Sequence, residues 1–273
     1  MALLSTIRWK NIVFTALAQY LSFLFAFNTK ENLLTSLGEY KVHLIILSTG
    51  FILAGGYIIN NFYDIEKDLI NRPYRTRFQN ILSDGFKLKF YLALNLVGLV
   101  IALVASWRIF VFFFFYSAIL WFYSHKLSKL VLVRELTASF LTVLAFFSLV
   151  LYFRMINLSF ILYGASLFLT LFARELYKDI IWLKGDIING YESIASLKGV
   201  TWSGHFFIGI LVTTMLLDIT FCAYLGRIEL VGIIVILGTI KCVLIYLIKT
   251  QPNLIHRAMQ LLIMTYITGI VWL

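Results

Sequence analysis

Apolar residues come in runs of about 20 along the chain, and the charged and turn-forming residues collect in short segments between these runs. A hydrocarbon core about 30 Å thick is crossed by about 20 residues of α-helix, so each run has the length of one membrane span. Only Pro73 and Pro252 are prolines, so little interrupts the helices. The pattern predicts nine transmembrane helices, at residues 11–28, 42–62, 88–106, 109–125, 131–153, 157–177, 203–225, 229–248 and 256–273.

The composition supports a chain dissolved in lipid. Hydrophobic residues make up 61% of it, charged residues 13%, and the mean hydropathy is +0.92, whereas a soluble domain carries roughly 25% charged residues. We therefore expect an all-α integral membrane protein formed by one domain over residues 1–273, with motif-bearing loops at about 60–87 and 174–200. The first run follows Arg8 and Lys10 but lacks a small-residue cleavage site, so it is interpreted as a retained span.

The net charge of +10 arises from 23 Lys and Arg residues, most of which fall in the loops on one side of the predicted bundle. By the positive-inside rule, that side and the amino terminus face the cytoplasm of a multi-pass cell-membrane protein, and Leu273 lies on the far side. Because topology explains the charge, no nucleic-acid partner is expected.

One group of acidic residues lies at the end of the second predicted span. Asn60, Asp64 and Asp68 are four residues apart, and this spacing places one amide and two carboxylates on the same face of a helix. Carboxylates at the carboxyl end of a helix oppose its dipole and are costly near lipid. Such a group indicates a bound cation or a function.

A second acidic group follows the sixth span. Asp179 and Asp186 are seven residues apart, which again brings two carboxylates to one helix face, and Glu175 shares that face. Four spans separate the two groups, so both are expected at the same membrane face.

Oxygen ligands without His or Cys favour Mg²⁺, which completes its coordination with water and substrate phosphate. Cationic side chains on the same side would hold the remaining phosphate oxygens: Arg72, Arg75, Lys126, Lys129 and Lys178. The alternative is that acids and bases simply pair at a wet membrane border.

These residues resemble the signatures of the UbiA superfamily of intramembrane prenyltransferases. Asn60, Asp64 and Asp68, followed by Asn71-Arg72-Pro73-Tyr74-Arg75, are similar to N-D-x-x-D-x-x-x-D and N-R-P-x-R. The second signature, R-E-x-x-K-D-x-x-D-x-x-G-D, is matched by Arg174, Glu175, Lys178, Asp179, Gly185 and Asp186. Tyr123-Ser124 with Leu127 and Lys129 is similar to a third, weaker motif.

The resemblance implies a bundle of two four-helix halves plus one helix. It also implies Mg²⁺-dependent transfer of an isoprenyl group from a polyprenyl diphosphate to a lipophilic acceptor. The expected metal ligands are Asn60, Asp64, Asp68, Asp179 and Asp186, of which the four aspartates are expected to be catalytic. The expected substrate-binding residues are Asn60, Arg72, Arg75, Tyr123, Lys126, Lys129, Arg174 and Lys178. An aromatic acceptor of the quinone-precursor type is expected, with a glycerophosphate ether lipid as the alternative.

Two further functions stay open. Asn61 and Trp182 stand where the family commonly has aspartates, and Trp182 removes one ligand from the second signature, so a catalytically silent homologue is an alternative. Lys241 and Asp218 interrupt two apolar runs, and charges inside the membrane can mark an ion path, so an ion transporter is another.

Overall fold

In the computed structural model, which describes residues 2–27, 37–188, 190, 192–227, 229–250 and 252–269, the chain is built from helices. In chain order the α-helices are α1 (Ala2–Thr6), α2 (Trp9–Leu21), α3 (Tyr40–Tyr63), α4 (Ile65–Asn71), α5 (Pro73–Gln79), α6 (Asp84–Ala105), α7 (Trp107–His125), α8 (Val133–Phe153), α9 (Leu158–Ile188), α10 (Ile194–Lys198), α11 (Val200–Leu225), α12 (Glu229–Thr250) and α13 (Pro252–Gly269). A π-helical segment, Ser22–Phe27, extends α2, and a 3₁₀ turn, Leu127–Lys129, follows α7.

Eight helices in the described part of the chain are long and apolar enough to cross a membrane. They fall within a few residues of the first eight predicted spans, except that the sixth helix ends well beyond its predicted end. Helix α13 occupies the place of the ninth, although it is not among the eight. Residue 28 of the first predicted span and residues 270–273 of the last, including Leu273, lie outside the described residues.

Helix α3 is the most deeply buried of the eight membrane-length helices in the described part of the chain. Within an 18-residue apolar stretch of α3, 67% of the residues are buried, against 17% in the corresponding stretch of α6, which packs along α3. The two helices approach closely at Gly98, where an added Cβ would lie 2.9 Å from the Ile52 side chain. Ser48 also donates to the Gly98 carbonyl over 2.8 Å. The small residues let α6 pack tightly against the helix that carries the first acidic group.

The segments predicted as motif loops are largely helical. Residues 60–87 contain α4 and α5, and the first acidic group sits where α3 bends into α4 at Asp64, whose N–H still donates to the Asn60 carbonyl. Pro73 begins α5, a position where its fixed φ suits the first helical turn and its missing N–H costs nothing.

Helix α9 is longer than predicted. It was expected over 157–177 but continues to Ile188, and its 31 residues span roughly 45 Å, more than a hydrocarbon core requires. Its last turns therefore project beyond the apolar part of the bundle and carry the second acidic group on a rigid helix.

Candidate active site

A cavity of about 900 Å³ opens at the end of the bundle where α3 bends into α4. Its outer part is lined by charged residues from the amino-terminal helices and from α4, α5 and α9. Its inner part reaches Leu53 and Leu141, and Leu53 lies roughly 15 Å along α3 from Asp64. The cavity thus joins a charged mouth to an apolar interior.

The first acidic group lines the mouth of this cavity. Asn60, Asp64 and Asp68 all contribute to its wall, and Asn60 Nδ2 donates to Asp64 Oδ2 over 2.5 Å. Burial, with the nearby Asp68 carboxylate, raises the pKa of Asp64 from 3.8 to about 6. Two carboxylates that disfavour each other's charge form a site that a bound cation stabilises.

The second acidic group is buried and paired with cations of the protein itself. Arg134 Nη2 lies 2.7 Å from Asp179 Oδ1 and 3.8 Å from Asp186 Oδ2, and Arg134 Nε donates to Glu135 Oε1 over 2.7 Å. Lys67 Nζ lies 2.7 Å from Asp186 Oδ1. Asp179 lines the cavity, whereas Asp186 lies behind it in these ion pairs.

The structure brings the two signatures together. Lys67, which reaches Asp186, lies on α4 between Asp64 and Asp68. Gly185 of α9 faces the end of α4 so closely that an added Cβ would lie 2.1 Å from Asn71 Oδ1. The expected meeting of the two groups at one end of the bundle is confirmed, and Gly185 provides the space for it.

Three arginines surround the mouth. The Arg72 guanidinium lies 4.1 Å from the centre of the Trp182 ring, and the Arg8 guanidinium lies 5.3 Å from the centre of the Tyr57 ring. Arg75 Nη2 donates to the Ser5 carbonyl over 3.1 Å. Burial, followed by the nearby Arg8 charge, lowers the pKa of Arg72 to about 10, and the same two causes lower that of Arg75. The arginines therefore form a positive cluster.

A second cationic pair lies on α9. Glu175 interacts with Arg174 Nη2 at 2.9 Å and with Lys178 Nζ at 2.5 Å, and all three residues line the cavity. Two cations share one carboxylate, so this group keeps a net positive charge at the cavity wall. Tyr123, near the end of α7, also lines the cavity.

Two predicted phosphate-binding residues are placed elsewhere. Helix α7 ends at His125, and the turn that follows leaves Lys126 and Lys129 exposed. In the described part of the chain, the cavity wall at this point is formed by Tyr123 and Ser124 instead. Neither lysine contributes to the cavity wall.

The two acidic groups differ as sites for Mg²⁺. The first offers two carboxylates and an amide beside open space, which suits an ion that keeps water and phosphate ligands. In the second, Asp179 and Asp186 already have cationic partners, and Trp182 supplies no oxygen. No group of three or more His, Cys, Asp or Glu residues that could hold a metal ion occurs within the described ranges.

Sequence reasoning missed Arg134 and Glu135. The signal was present, because two adjacent charges open the otherwise apolar run of α8. Their partner Asp179 is 45 residues away, and no local spacing rule connects them.

Membrane-length helices around a cavity with a charged mouth and an apolar interior define an integral membrane protein with a site for an ionic, partly apolar ligand. The sequence defines the class of protein further, because the model of the UbiA prenyltransferase family matches residues 12–265 of the chain. The chain belongs to this family and is a prenyltransferase.

Similar proteins agree with this assignment. A digeranylgeranylglyceryl phosphate synthase of Sulfolobus acidocaldarius is 30% identical over 216 residues, covering 78% of this chain and 76% of the relative. One of Methanobrevibacter smithii is 30% identical over 217 residues, covering 77% and 75%. A solved structure of a UbiA homologue from Archaeoglobus fulgidus, bound to GPP and Mg²⁺, is 16% identical, has a TM-score of 0.73 and covers both chains completely. The fold prediction is thereby confirmed.

Proposed function

We propose that the protein transfers a prenyl group from a prenyl diphosphate to the hydroxyl group of a glycerophosphate lipid, in a Mg²⁺-dependent reaction. The names of the relatives support this acceptor, which was the alternative in the sequence analysis, over the aromatic acceptor first expected. The GPP and Mg²⁺ bound by the Archaeoglobus homologue support the donor and the ion.

The observation that carries the proposal is the charge pattern of the cavity mouth. Asn60, Asp64 and Asp68 would hold Mg²⁺ there. Bound Mg²⁺ supplies Lewis-acid neutralisation of the charge on a leaving diphosphate. Arg174 and Lys178, on the facing helix, bind diphosphate oxygens that do not reach the ion.

The apolar interior receives the prenyl chain. Leu53, Leu120 and Leu141 line it, and Tyr116 presents an aromatic ring. When the C–O bond to the diphosphate breaks, the diphosphate keeps the bonding electrons and an allylic cation forms. The acceptor oxygen then bonds to that carbon and releases its proton. Apolar walls keep out water that would otherwise capture the cation.

The arginines at the mouth fit an acceptor that carries a phosphate. Among the described residues, Arg8, Arg72 and Arg75 have no carboxylate at ion-pair distance. Their closest partners are two aromatic rings and a backbone carbonyl. A phosphate monoester, which carries up to two negative charges and three acceptor oxygens, satisfies such a cluster more fully than the single carboxylate of a hydroxybenzoate does.

Prenyl transfer by the purified full chain in lipid nanodiscs tests the proposal. Geranylgeranyl diphosphate is supplied with either geranylgeranylglyceryl phosphate or 4-hydroxybenzoate, with Mg²⁺ or with EDTA, and products are identified by mass spectrometry. We expect the glycerophosphate product alone, and only with Mg²⁺. Prenylated hydroxybenzoate as the sole product overturns the acceptor assignment, and donor binding without any product favours the silent homologue.

A pair of variants on α5 sharpens the acceptor assignment. Arg75→Gln removes a cavity arginine and is expected to raise the KM of the glycerophosphate acceptor about tenfold while kcat changes little. Arg77→Gln removes an exposed arginine two residues away and is the matched control. Equal effects of the two substitutions contradict a phosphate site at Arg75.

The membrane orientation enters as part of the proposal. The excess of Lys and Arg on the side of the acidic groups supports a cavity that opens to the cytoplasm. Cysteine labelling of an exposed position on α5, such as Tyr74→Cys, in intact cells and in inverted vesicles tests it. Labelling in intact cells reverses the assignment.

A further inference from the structure

Trp182 contributes an aromatic ring to the charged mouth of the cavity. It lies on α9, one helical turn after Lys178, and it is half-buried. The Arg72 guanidinium lies 4.1 Å from the centre of its ring, and Lys178 Nζ lies 5.8 Å from the same centre. Both distances are within the range at which an aromatic face attracts a cation. The ring therefore interacts with two cations that come from different parts of the chain.

The backbone of Arg72 is held on both sides. Its N–H donates to the Asp68 carbonyl over 2.8 Å, at the end of α4, and its carbonyl accepts from the Thr76 N–H over 3.0 Å, at the start of α5. The following Pro73 restricts its backbone angles further, and φ is −144°. The long side chain has no such restraint, so the position of its guanidinium depends on what the guanidinium contacts.

The Trp182 ring holds the Arg72 guanidinium without occupying its donors. Within the described part of the chain, no carboxylate lies at ion-pair distance from Arg72. A carboxylate partner accepts hydrogen bonds from the planar fork of a guanidinium, whereas an aromatic face attracts the charge and supplies no acceptor oxygen. The N–H groups of Arg72 therefore stay available to an anion in the cavity.

The neighbouring charges make this restraint necessary. Burial lowers the pKa of Arg72, and the nearby Arg8 and Arg75 charges lower it further. Repulsion of this kind drives a mobile guanidinium outwards into water, where its charge is better solvated. Attraction to the Trp182 ring opposes that movement and keeps the charge at the cavity wall.

We propose that Trp182 is a positioning residue for the acceptor phosphate, because its ring holds the Arg72 guanidinium at the cavity mouth with its N–H groups free. The inference rests on the proposed function, in which Arg8, Arg72 and Arg75 bind that phosphate. The diphosphate of the donor offers the same chemistry to an arginine, so the two ligands have to be tested separately.

Isothermal titration of the purified full chain in lipid nanodiscs separates the two ligands. Geranylgeranyl thiolodiphosphate, whose C–S bond resists ionisation, is titrated with Mg²⁺, and geranylgeranylglyceryl phosphate is then titrated into the loaded chain. We expect Trp182→Leu to weaken the acceptor about tenfold and the donor analogue by less than about twofold. Trp182→Gln, a second variant without a ring, is expected to match it. Trp182→Phe keeps a ring and should stay within about threefold of wild type for both ligands.

A second pair of arginine and tryptophan provides the matched control. The Arg108 guanidinium lies 5.7 Å from the centre of the Trp107 ring, and Trp107 does not line the cavity. Trp107→Leu is therefore expected to leave the affinity for both ligands unchanged. The thermal unfolding temperature of each variant shows that it is folded.

A double-mutant cycle shows whether Trp182 acts through Arg72. Arg72→Gln is expected to weaken the acceptor about tenfold or more, and adding Trp182→Leu should cause little further loss, because the ring then has no guanidinium to hold. Losses that multiply overturn the inference. So does a Trp182→Phe variant as weak as Trp182→Leu, or a loss confined to the donor analogue. No binding of the acceptor by the loaded wild-type chain means that the proposed function itself fails.

Discussion

Two clusters of buried charged side chains in the described part of the chain differ in how completely their charges are satisfied. In the closed cluster, Lys241 of α12 contacts Asp218 of α11 directly and donates to the Tyr266 hydroxyl of α13 over 3.0 Å. That hydroxyl donates to Asp218 Oδ1 over 2.8 Å, and the adjacent cavity measures only about 30 Å³. At the cavity mouth, by contrast, oxygens of Glu135 and Asp179 lack partners beside about 900 Å³ of space.

The difference separates structural charges from functional ones. The closed cluster satisfies its charges across three helices and therefore holds α11, α12 and α13 together. The charged residues that line the cavity, among them Asp64, Asp68, Glu135 and Asp179, form the open cluster. This cluster keeps unsatisfied groups where a ligand can reach them. Lys241 and Asp218, considered above as an ion path, neutralise each other and support a structural role better than a transport role.

The largest expected effect is on catalysis at the open cluster. Asp64→Asn removes a carboxylate of the proposed metal site, and we expect the rate of prenyl transfer to fall on the order of 10³-fold or more. The folded protein should not lose stability, because an ionised carboxylate no longer has to be buried. Product formation and the thermal unfolding temperature are measured together, with Glu66→Gln as control. A tenfold effect or less contradicts the assigned role.

At the closed cluster we expect a loss of stability, and its free energy is similar in size to that of the catalytic effect. Lys241→Met leaves Asp218 buried without its cation, which lowers the free energy of unfolding by about 3–5 kcal/mol. The kcat of the folded fraction is expected to stay near that of wild type. Adding Asp218→Asn to this variant should recover most of the loss. Chemical denaturation in detergent measures both, and loss of kcat with full stability would place the pair in the catalytic machinery.

A smaller effect is expected where the two signatures touch. Gly185→Ala places a Cβ 2.1 Å from Asn71 Oδ1, so Asn71 has to move and α4 shifts against α9. Overpacking costs typically about 1–3 kcal/mol, and we expect activity to fall roughly 10–100-fold. Gly209→Ala, at an exposed helical position with nothing within 4 Å of the added Cβ, is the control and should be neutral. Equal activity of the two variants shows that the contact does not position the site.

The smallest expected effect is on the pH dependence of metal binding. Because the pKa of Asp64 is raised from 3.8 to about 6, this carboxyl is ionised above about pH 6 and gains a proton below it. Mg²⁺ that binds below this pH displaces the proton, so its association constant should fall about tenfold per pH unit. Calorimetric titrations between about pH 7 and 5 measure this slope. Constant affinity over that range means that Asp64 is not a ligand.

Much of the fold follows from local pattern alone. Each span is a run of apolar residues long enough to satisfy its own backbone in lipid, so the positions of eight helices are readable from the sequence. The end of α9 is not, because its last turns mix charged and apolar residues as a loop would. The packing of Gly185 against Asn71, which joins residues far apart in the sequence, places those turns beside α4.

The site was predictable where its residues belong to a signature. Asp64, Asp68, Asp179, Arg72, Arg75, Arg174 and Lys178 all line the cavity as expected. Lys126 and Lys129 were expected there because of their side of the membrane, but both are exposed and do not line the cavity. Glu135 and Lys67 became visible only through ion pairs between distant helices, which a single sequence does not encode locally.

Binding of a non-reactive donor tests the central claim, that the two signatures form one metal-dependent diphosphate site. Isothermal titration of the wild-type chain with geranylgeranyl thiolodiphosphate is carried out with Mg²⁺ and again with EDTA. The account predicts stoichiometric binding with Mg²⁺ that Asp64→Asn weakens at least tenfold, and little binding with EDTA. Equal affinity with Mg²⁺ and with EDTA would contradict it.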